Sequence, residues 1–173
     1  MSLAVDGAAR IDTRLVGEPV DLRVTNEPSR DDVQFLEERI YEFNASRTGI
    51  DDGQLLGIFA RDAAGRIVGG LYGWTWGGCC EIKLLWVDEA WRGKRLGSRL
   101  LERAEKEARA RGAAQIVLDT HGFQAPAFYE RLGFEAVGAV ADCPVGHEKI
   151  YMRKRLDRSA PAPGCLDTTK RRC

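Results

Sequence analysis

Leu85-Trp86-Val87-Asp88-Glu89-Ala90-Trp91-Arg92-Gly93-Lys94-Arg95-Leu96-Gly97-Ser98 is the stretch on which the reading of this 173-residue chain turns. An apolar run ends at Val87, a loop with two glycines and several cations follows, and a helical pattern opens at Leu96. Leu96, Leu100, Leu101, Ala104 and Ala108 recur at helical spacing on one face, and Gly112 is placed to cap the end. The first turn of a helix leaves backbone N–H groups without acceptors, and glycines let a ligand approach them, so strand–loop–helix is a place where a phosphate can sit. Arg92, Lys94, Arg95 and Arg99 add charge there. Cations sit poorly at a helix N-terminus unless an anion offsets them, which sets an anion site against a plain solvated basic surface. The spacing matches neither G-x-x-x-x-G-K-[ST] nor G-x-G-x-x-G.

Working outward, helix and strand patterns alternate. Asp21-Leu22-Arg23-Val24 alternates polar and apolar and predicts a short strand. Ser29 is placed as an N-cap, with Asp31 and Asp32 in the first turn of a helix whose stripe is Val33, Leu36, Ile40 and Phe43. Residues 55–60 and 67–76 read as strands joined by the turn Asp62-Ala63-Ala64-Gly65, and 81–87 as a third. Beyond the strong helix, 116–118 reads as a buried strand and 125–132 as a short helix with Pro126 in its first turn. The last two strands fall at 134–140 and 149–155. The order β-α-β-β-β-α-β-α-β-β predicts an α/β domain: a mixed central sheet with helices on both faces. Its boundaries fall at about 21–156, with an N-terminal extension over 1–20 and a C-terminal tail over 157–173 of the kind that is usually mobile.

Composition narrows the classes. Lys and Arg number 26 against 26 Asp and Glu, and a net charge of zero disfavours non-specific nucleic-acid binding. No apolar run approaches the ~20 residues of a membrane span, and the N-terminus has no signal-peptide pattern, so a cytoplasmic location is expected with no membrane partner. The five cysteines form no C-x-x-C pair and the two histidines, His121 and His147, stand alone, so no metal site is expected and buried thiols are the reading.

Two segments carry a resemblance. Arg92-x-x-Arg95-x-Gly97 resembles the [QR]-x-x-G-x-[GA] acetyl-coenzyme-A loop of the GNAT superfamily of N-acetyltransferases, with Arg95 in place of the first glycine. Ala125-Pro126-Ala127-Phe128-Tyr129-Glu130-Arg131-Leu132-Gly133-Phe134 resembles the family's A-x-x-F-Y-x-x-x-G-F segment, with Gly122 where an Asn is common. An Arg at position 95 suits negative φ and is strained at positive φ. The likeness, strand order included, spans about 21–156, and the stretch from Tyr41 to Leu156 resembles small bacterial members of unassigned substrate.

The resemblance implies acetyl transfer from acetyl-CoA, without a metal, to a primary amine of a small molecule by direct attack in a ternary complex. Cofactor contacts are then expected from the backbone of Leu85, Trp86 and Val87 and from Arg92, Gly93, Lys94, Arg95, Leu96, Gly97 and Ser98. An alkyl amine with a pKa near ~10 is mostly protonated at neutral pH, so the reaction needs a base, and the departing thiolate needs a proton. Glu81, on the strand leading to the loop, is the candidate base, unless it simply pairs with Lys83. Simple alternation puts Glu81, Lys83, Leu85 and Val87 on one strand face. Tyr129 is the candidate acid, against a plain core role. Tyr41, Trp74 and Trp76 are candidates for an acceptor wall holding a cationic amine, against core aromatics. His147 belongs to a loop that can reach the same mouth, against the reading of a plain solvated loop histidine. Many family members dimerise, so a homodimer is in view. The competing readings are a CoA-binding regulatory module without turnover and an acetyltransferase acting on a protein or RNA. Zero net charge weakens an RNA target, although the basic end Lys170-Arg171-Arg172 tempers that.

Overall fold

A computed structural model describes residues 20–156. The extension read over 1–20, apart from Val20, and the tail over 157–173 lie outside the described residues. Contacts divide the chain into two units between Phe43 and Asn44. In the first unit, α1 (Arg30–Thr48) opens as its sequence predicts. The Ser29 hydroxyl accepts from the Asp32 N–H at 3.0 Å, the side-chain bond of an N-cap. The strand expected at 21–24 is absent: these residues pair with no other strand. Only Leu22 and Val24 are apolar there, both exposed, and the Arg23 guanidinium closes on Asp21 at 2.6 Å. Alternation over four residues offers too little apolar surface to hold a strand.

The second unit holds the end of α1 and then β1 (Gln54–Arg61), β2 (Ile67–Trp76), β3 (Cys79–Val87), a 3-10 turn (Glu89–Trp91), α2 (Leu96–Ala110), β4 (Gln115–His121), α3 (Pro126–Glu130), β5 (Glu135–Val140) and β6 (Lys149–Arg155). One mixed sheet runs in the order β1-β2-β3-β4-β6-β5. The β1–β2 turn is fixed by Asp62, whose Oδ1 accepts from the N–H groups of Ala64 and Arg66 at 2.9 and 3.0 Å. On α2 the apolar stripe does what its period demands: Leu100, Leu101, Ala104 and Ala108 are buried, against Leu56, Leu71, Cys80, Ile82, Ile116 and Met152 of the sheet. Gly112, at φ +80°, ends the helix. Burial pushes the Cys80 thiol up to about 11, so it stays protonated as a small core residue.

Two features of β3 position the site. Its parallel ladder with β4 covers only Cys79 to Ile82 against Gln115 to Leu118, and past that point β3 continues to Val87 while β4 turns to β6 alone. The register with β2 also slips, Tyr72 opposing Leu84 but Gly73 opposing Ile82, so Lys83 is the extra residue of a bulge. The bulge reverses the alternation read from sequence. Leu85 and Val87 pack with Ile82 on the core side, while Leu84 and Trp86 are exposed on the side of Glu81. Glu81 therefore does not share a face with Leu85 and Val87.

Candidate active site

Where β3 and β4 part, a cleft of about 700 Å³ opens. Its walls are Leu85, Trp86 and Val87, the loop into α2, and the segment joining β4 to α3. The β3 backbone is paired with β2 on one side; on the other, past Ile82, no strand of the described residues meets it. An extended ligand can take the place of that missing strand.

The entry to α2 has the composition of an anion site. The first intrahelical bond runs from the Arg99 N–H to the Arg95 carbonyl (3.1 Å), leaving the N–H groups of Leu96, Gly97 and Ser98 without helical acceptors. No acidic residue stands in the first turn. The Arg92 guanidinium leans on the Val87 carbonyl at 3.2 Å and the Lys94 ammonium lies 5.5 Å from the Trp91 ring centroid. Among the described residues neither they, Arg95 nor Arg99 forms an ion pair. Orphan donors and unneutralised cations at one helix start fit a phosphate ligand. Of the residues expected to touch the cofactor, all but Lys94 line the cleft.

Arg95 adopts φ +61°, ψ +11°, the left-handed region, at the N-cap of α2 and without a side-chain cap. The positive-φ alternative therefore holds, and the residue is strained by about 1–2 kcal/mol relative to glycine-like geometry. Arg95→Gly is expected to raise unfolding stability by about 1 kcal/mol in urea titration. A loss of stability would show that the guanidinium contributes more than the backbone conformation costs. Gly97 has a different constraint. A Cβ there would stand 3.2 Å from Phe128 Cζ and 3.8 Å from Val87 Cγ2, so the bare residue lets α2 close on α3.

Tyr129 projects from α3 and is 9% exposed. Its ring meets Phe128 and Phe134 edge-on, with centroids at 5.1 and 5.9 Å. No hydrogen bond is made by its hydroxyl among the described residues, and no fully buried side-chain oxygen or nitrogen there lacks a partner. The hydroxyl therefore reaches the cleft that the residue lines. Burial, and next the Asp119 charge, push the phenol above its ordinary value, so it holds its proton through the neutral range.

The remaining sequence candidates lie elsewhere. Glu81 sits one residue before the β3–β4 ladder ends, outside the cleft lining. Its Oε1 pairs with the Lys83 ammonium at 3.2 Å, and that ammonium lies 5.8 Å from the Trp74 ring centroid. Trp74 opposes Glu81 across β2 and β3, so Glu81, Lys83 and Trp74 form one polar–aromatic cluster. The indole N–H of Trp76 donates to the Ile50 carbonyl at 2.9 Å, which ties it to the loop before β1. Tyr41 lies on α1, in the first unit. His147 packs edge-on against Phe123, at 4.9 Å. Thr120, Phe123, Gln124 and Arg131 also line the cleft and were not singled out by sequence. The signal for the first three was their place at the C-terminal end of a strand running into a helix.

Known proteins complete the assignment. The chain matches the acetyltransferase (GNAT) family over residues 21–134. It is 34% identical over 121 residues to an acetyltransferase of Agrobacterium fabrum, covering 70% of this chain and 88% of that protein. It is 39% identical over 117 residues to the blasticidin-S acetyltransferase of Streptomyces morookaense, covering 64% of this chain and 84% of that one. A crystal structure of an acetyltransferase from Agrobacterium tumefaciens superposes with a TM-score of 0.70 at 30% identity, covering 79% of this chain and all (100%) of that one. The chain belongs to the GNAT family of acetyltransferases. Among the described residues no helix is long and apolar enough to cross a membrane.

Proposed function

We propose that the protein transfers an acetyl group from acetyl-CoA to a primary amine of a small molecule, by direct attack while both substrates are bound. The supporting observation is the convergence on one cleft of an unpaired strand edge, a helix start with unneutralised cations, and the Tyr129 hydroxyl. These suit, in turn, a peptide-like pantetheine arm, a pyrophosphate and a thioester sulfur. The residues present fit acetyl-CoA, which when bound supplies an acetyl carbon activated as a thioester. The likeness to an enzyme named for blasticidin S supports a small-molecule acceptor.

The N–H groups at 96–98 hold the pyrophosphate, and the backbone at 85–87 holds the arm and polarises the acetyl carbonyl. Glu81, outside the cleft lining, takes the proton of the ammonium acceptor through intervening water, its pairing with Lys83 giving way to the incoming cation. The freed amine attacks the acetyl carbon, the C–N bond forms, and the C–S bond breaks. Tyr129 supplies a proton to the departing sulfur and regains one from the second proton that the nitrogen sheds as it becomes the amide. Trp74, beside Glu81, gives the acceptor cation an aromatic face.

Release of CoA thiol, followed with a thiol reagent against a panel of polyamines, aminoglycosides, amino acids, peptides and nucleoside antibiotics, tests this reading. Amine-dependent release supports it, while CoA binding without release from any amine would make the protein a binding module. Gly97→Asp tests the loop. The side chain meets Phe128 and Val87, forces α2 from α3, and brings a negative charge to the phosphate site. The acetyl-CoA dissociation constant is expected to rise at least about tenfold, or ~1.4 kcal/mol. Unchanged affinity in calorimetry would remove the loop assignment and the enzyme reading with it.

A further inference from the structure

The β4–α3 connection contains an amide whose orientation is fixed by chemistry. The Gln124 Oε1 lies 2.9 Å from the His121 backbone N–H and 3.0 Å from the Thr120 hydroxyl. A backbone N–H can only donate, so the atom facing it must be the amide oxygen and not the NH2 group. The oxygen is shared between that N–H and the Thr120 hydroxyl, whose own hydrogen is thereby committed to it. Thr120 is 2% exposed, at the end of β4, so this anchor is held by a buried group. The Gln124 amide nitrogen is then the free end, and its two N–H donors have no partner among the described residues. Gln124 and Thr120 both line the cleft, as do Leu85, Trp86 and Val87 of the unpaired strand edge. Gly122 has no side chain to offer at this wall.

We propose that Gln124 is a specificity-determining donor for the pantetheine half of the cofactor, hydrogen-bonding an amide carbonyl of the arm, with Thr120 as its positioning residue. The inference rests on the acetyl-CoA reading above. The chemistry selects the arm over the phosphates. The phosphates have the cations and orphan N–H groups at the α2 start, whereas a neutral amide donor held by neutral partners matches a neutral carbonyl. The strand edge across the cleft already suits an extended, amide-bearing chain, and the arm has two amides to be satisfied once water is excluded.

Calorimetry with CoA and with 3′,5′-ADP, which carries the adenosine, the 3′-phosphate and the first 5′-phosphate but neither the second 5′-phosphate nor the arm, separates the halves. Gln124→Glu keeps an oxygen for the His121 N–H and the Thr120 hydroxyl but replaces the donating nitrogen with an acceptor. For this variant the CoA dissociation constant is expected to rise about tenfold, with 3′,5′-ADP affinity within about twofold of wild type. Gln124→Leu is expected to weaken CoA to a similar degree without adding charge, and Thr120→Val to weaken it about threefold. Equal weakening of CoA and 3′,5′-ADP, or unchanged CoA affinity in both Gln124 variants, would overturn the role. Wild-type protein that binds 3′,5′-ADP but gains nothing from the arm would overturn it while leaving the phosphate loop standing. Failure to bind either ligand would remove the acetyl-CoA reading itself.

Discussion

Gly73→Ala is expected to destabilise the protein by about 3 kcal/mol or more, the upper end of the cost of overpacking. A Cβ at Gly73 would stand 2.0 Å from the Glu81 carbonyl oxygen and 3.0 Å from the Ile82 Cα, both backbone atoms with no rotamer to escape into. Relief requires β2 and β3 to separate at the residue beside the Lys83 bulge, close to where β3 also parts from β4. The same movement would disturb the cleft, so cofactor affinity should fall along with stability. Urea unfolding measures the effect, and a melting temperature lower by roughly 6–12 °C should accompany it, at about 2–4 °C per kcal/mol. Gly138→Ala is the matched control: Gly138 also sits beside a register shift, in β5, but a Cβ there meets nothing within 4 Å. That variant should remain within about 0.5 kcal/mol of wild type, as surface changes usually do. Equal stabilities for the two variants would mean the bulge yields easily and does not shape the site.

The sequence was most legible where local pattern and tertiary burden coincide. Leu100, Leu101, Ala104 and Ala108 are buried because a helical stripe has one way to meet a sheet, and Ser29 caps α1 because its hydroxyl reaches the third N–H on. One wall of the cleft was legible too, since loop composition at a helix start is a local matter: the segment 92–98 lines the cleft except at Lys94. Three things were not. The Lys83 bulge is invisible to alternation, because period-2 counting assumes that no residue is inserted; Gly73 was its one trace, and a strand glycine has several explanations. The 21–24 segment shows the opposite failure, a pattern too short to demand a partner. Gln124 could not be seen because its orientation depends on two atoms brought together only when β4 runs into α3. Arg95 lay between these cases: the family pattern marked the position, and only the backbone angle decided that the substitution is strained.

Tyr129→Phe is expected to lower kcat roughly 10²-fold, the low end of what a positioned general acid or base contributes. The low end is appropriate because a thiolate with a pKa near ~8.5 is a weaker base than a phenolate. In the proposed mechanism the hydroxyl stabilises the sulfur as it leaves, giving up its proton during C–S cleavage. Two features make the variant clean. The hydroxyl has no protein partner among the described residues, so its removal breaks no hydrogen bond there, and the ring keeps its edge-on contacts with Phe128 and Phe134. Melting temperature should therefore hold, and acetyl-CoA affinity should change less than about twofold, because the oxygen is asked to act on charge that develops only in the transition state. The pH dependence carries a further check with a definite sign. Burial, with the Asp119 charge second, raises the phenol above its ordinary value, so the acid form persists through neutral and mildly alkaline pH. Tyr129 should contribute no falling limb to the kcat profile below about pH 10, the ordinary tyrosine value. A limb that appears in wild type near neutral pH must belong to another group, and it should survive in Tyr129→Phe at the reduced rate. If kcat with a good amine acceptor is unchanged by the substitution, Tyr129 is a core aromatic that happens to face the cleft, and the proton for the departing sulfur comes from solvent.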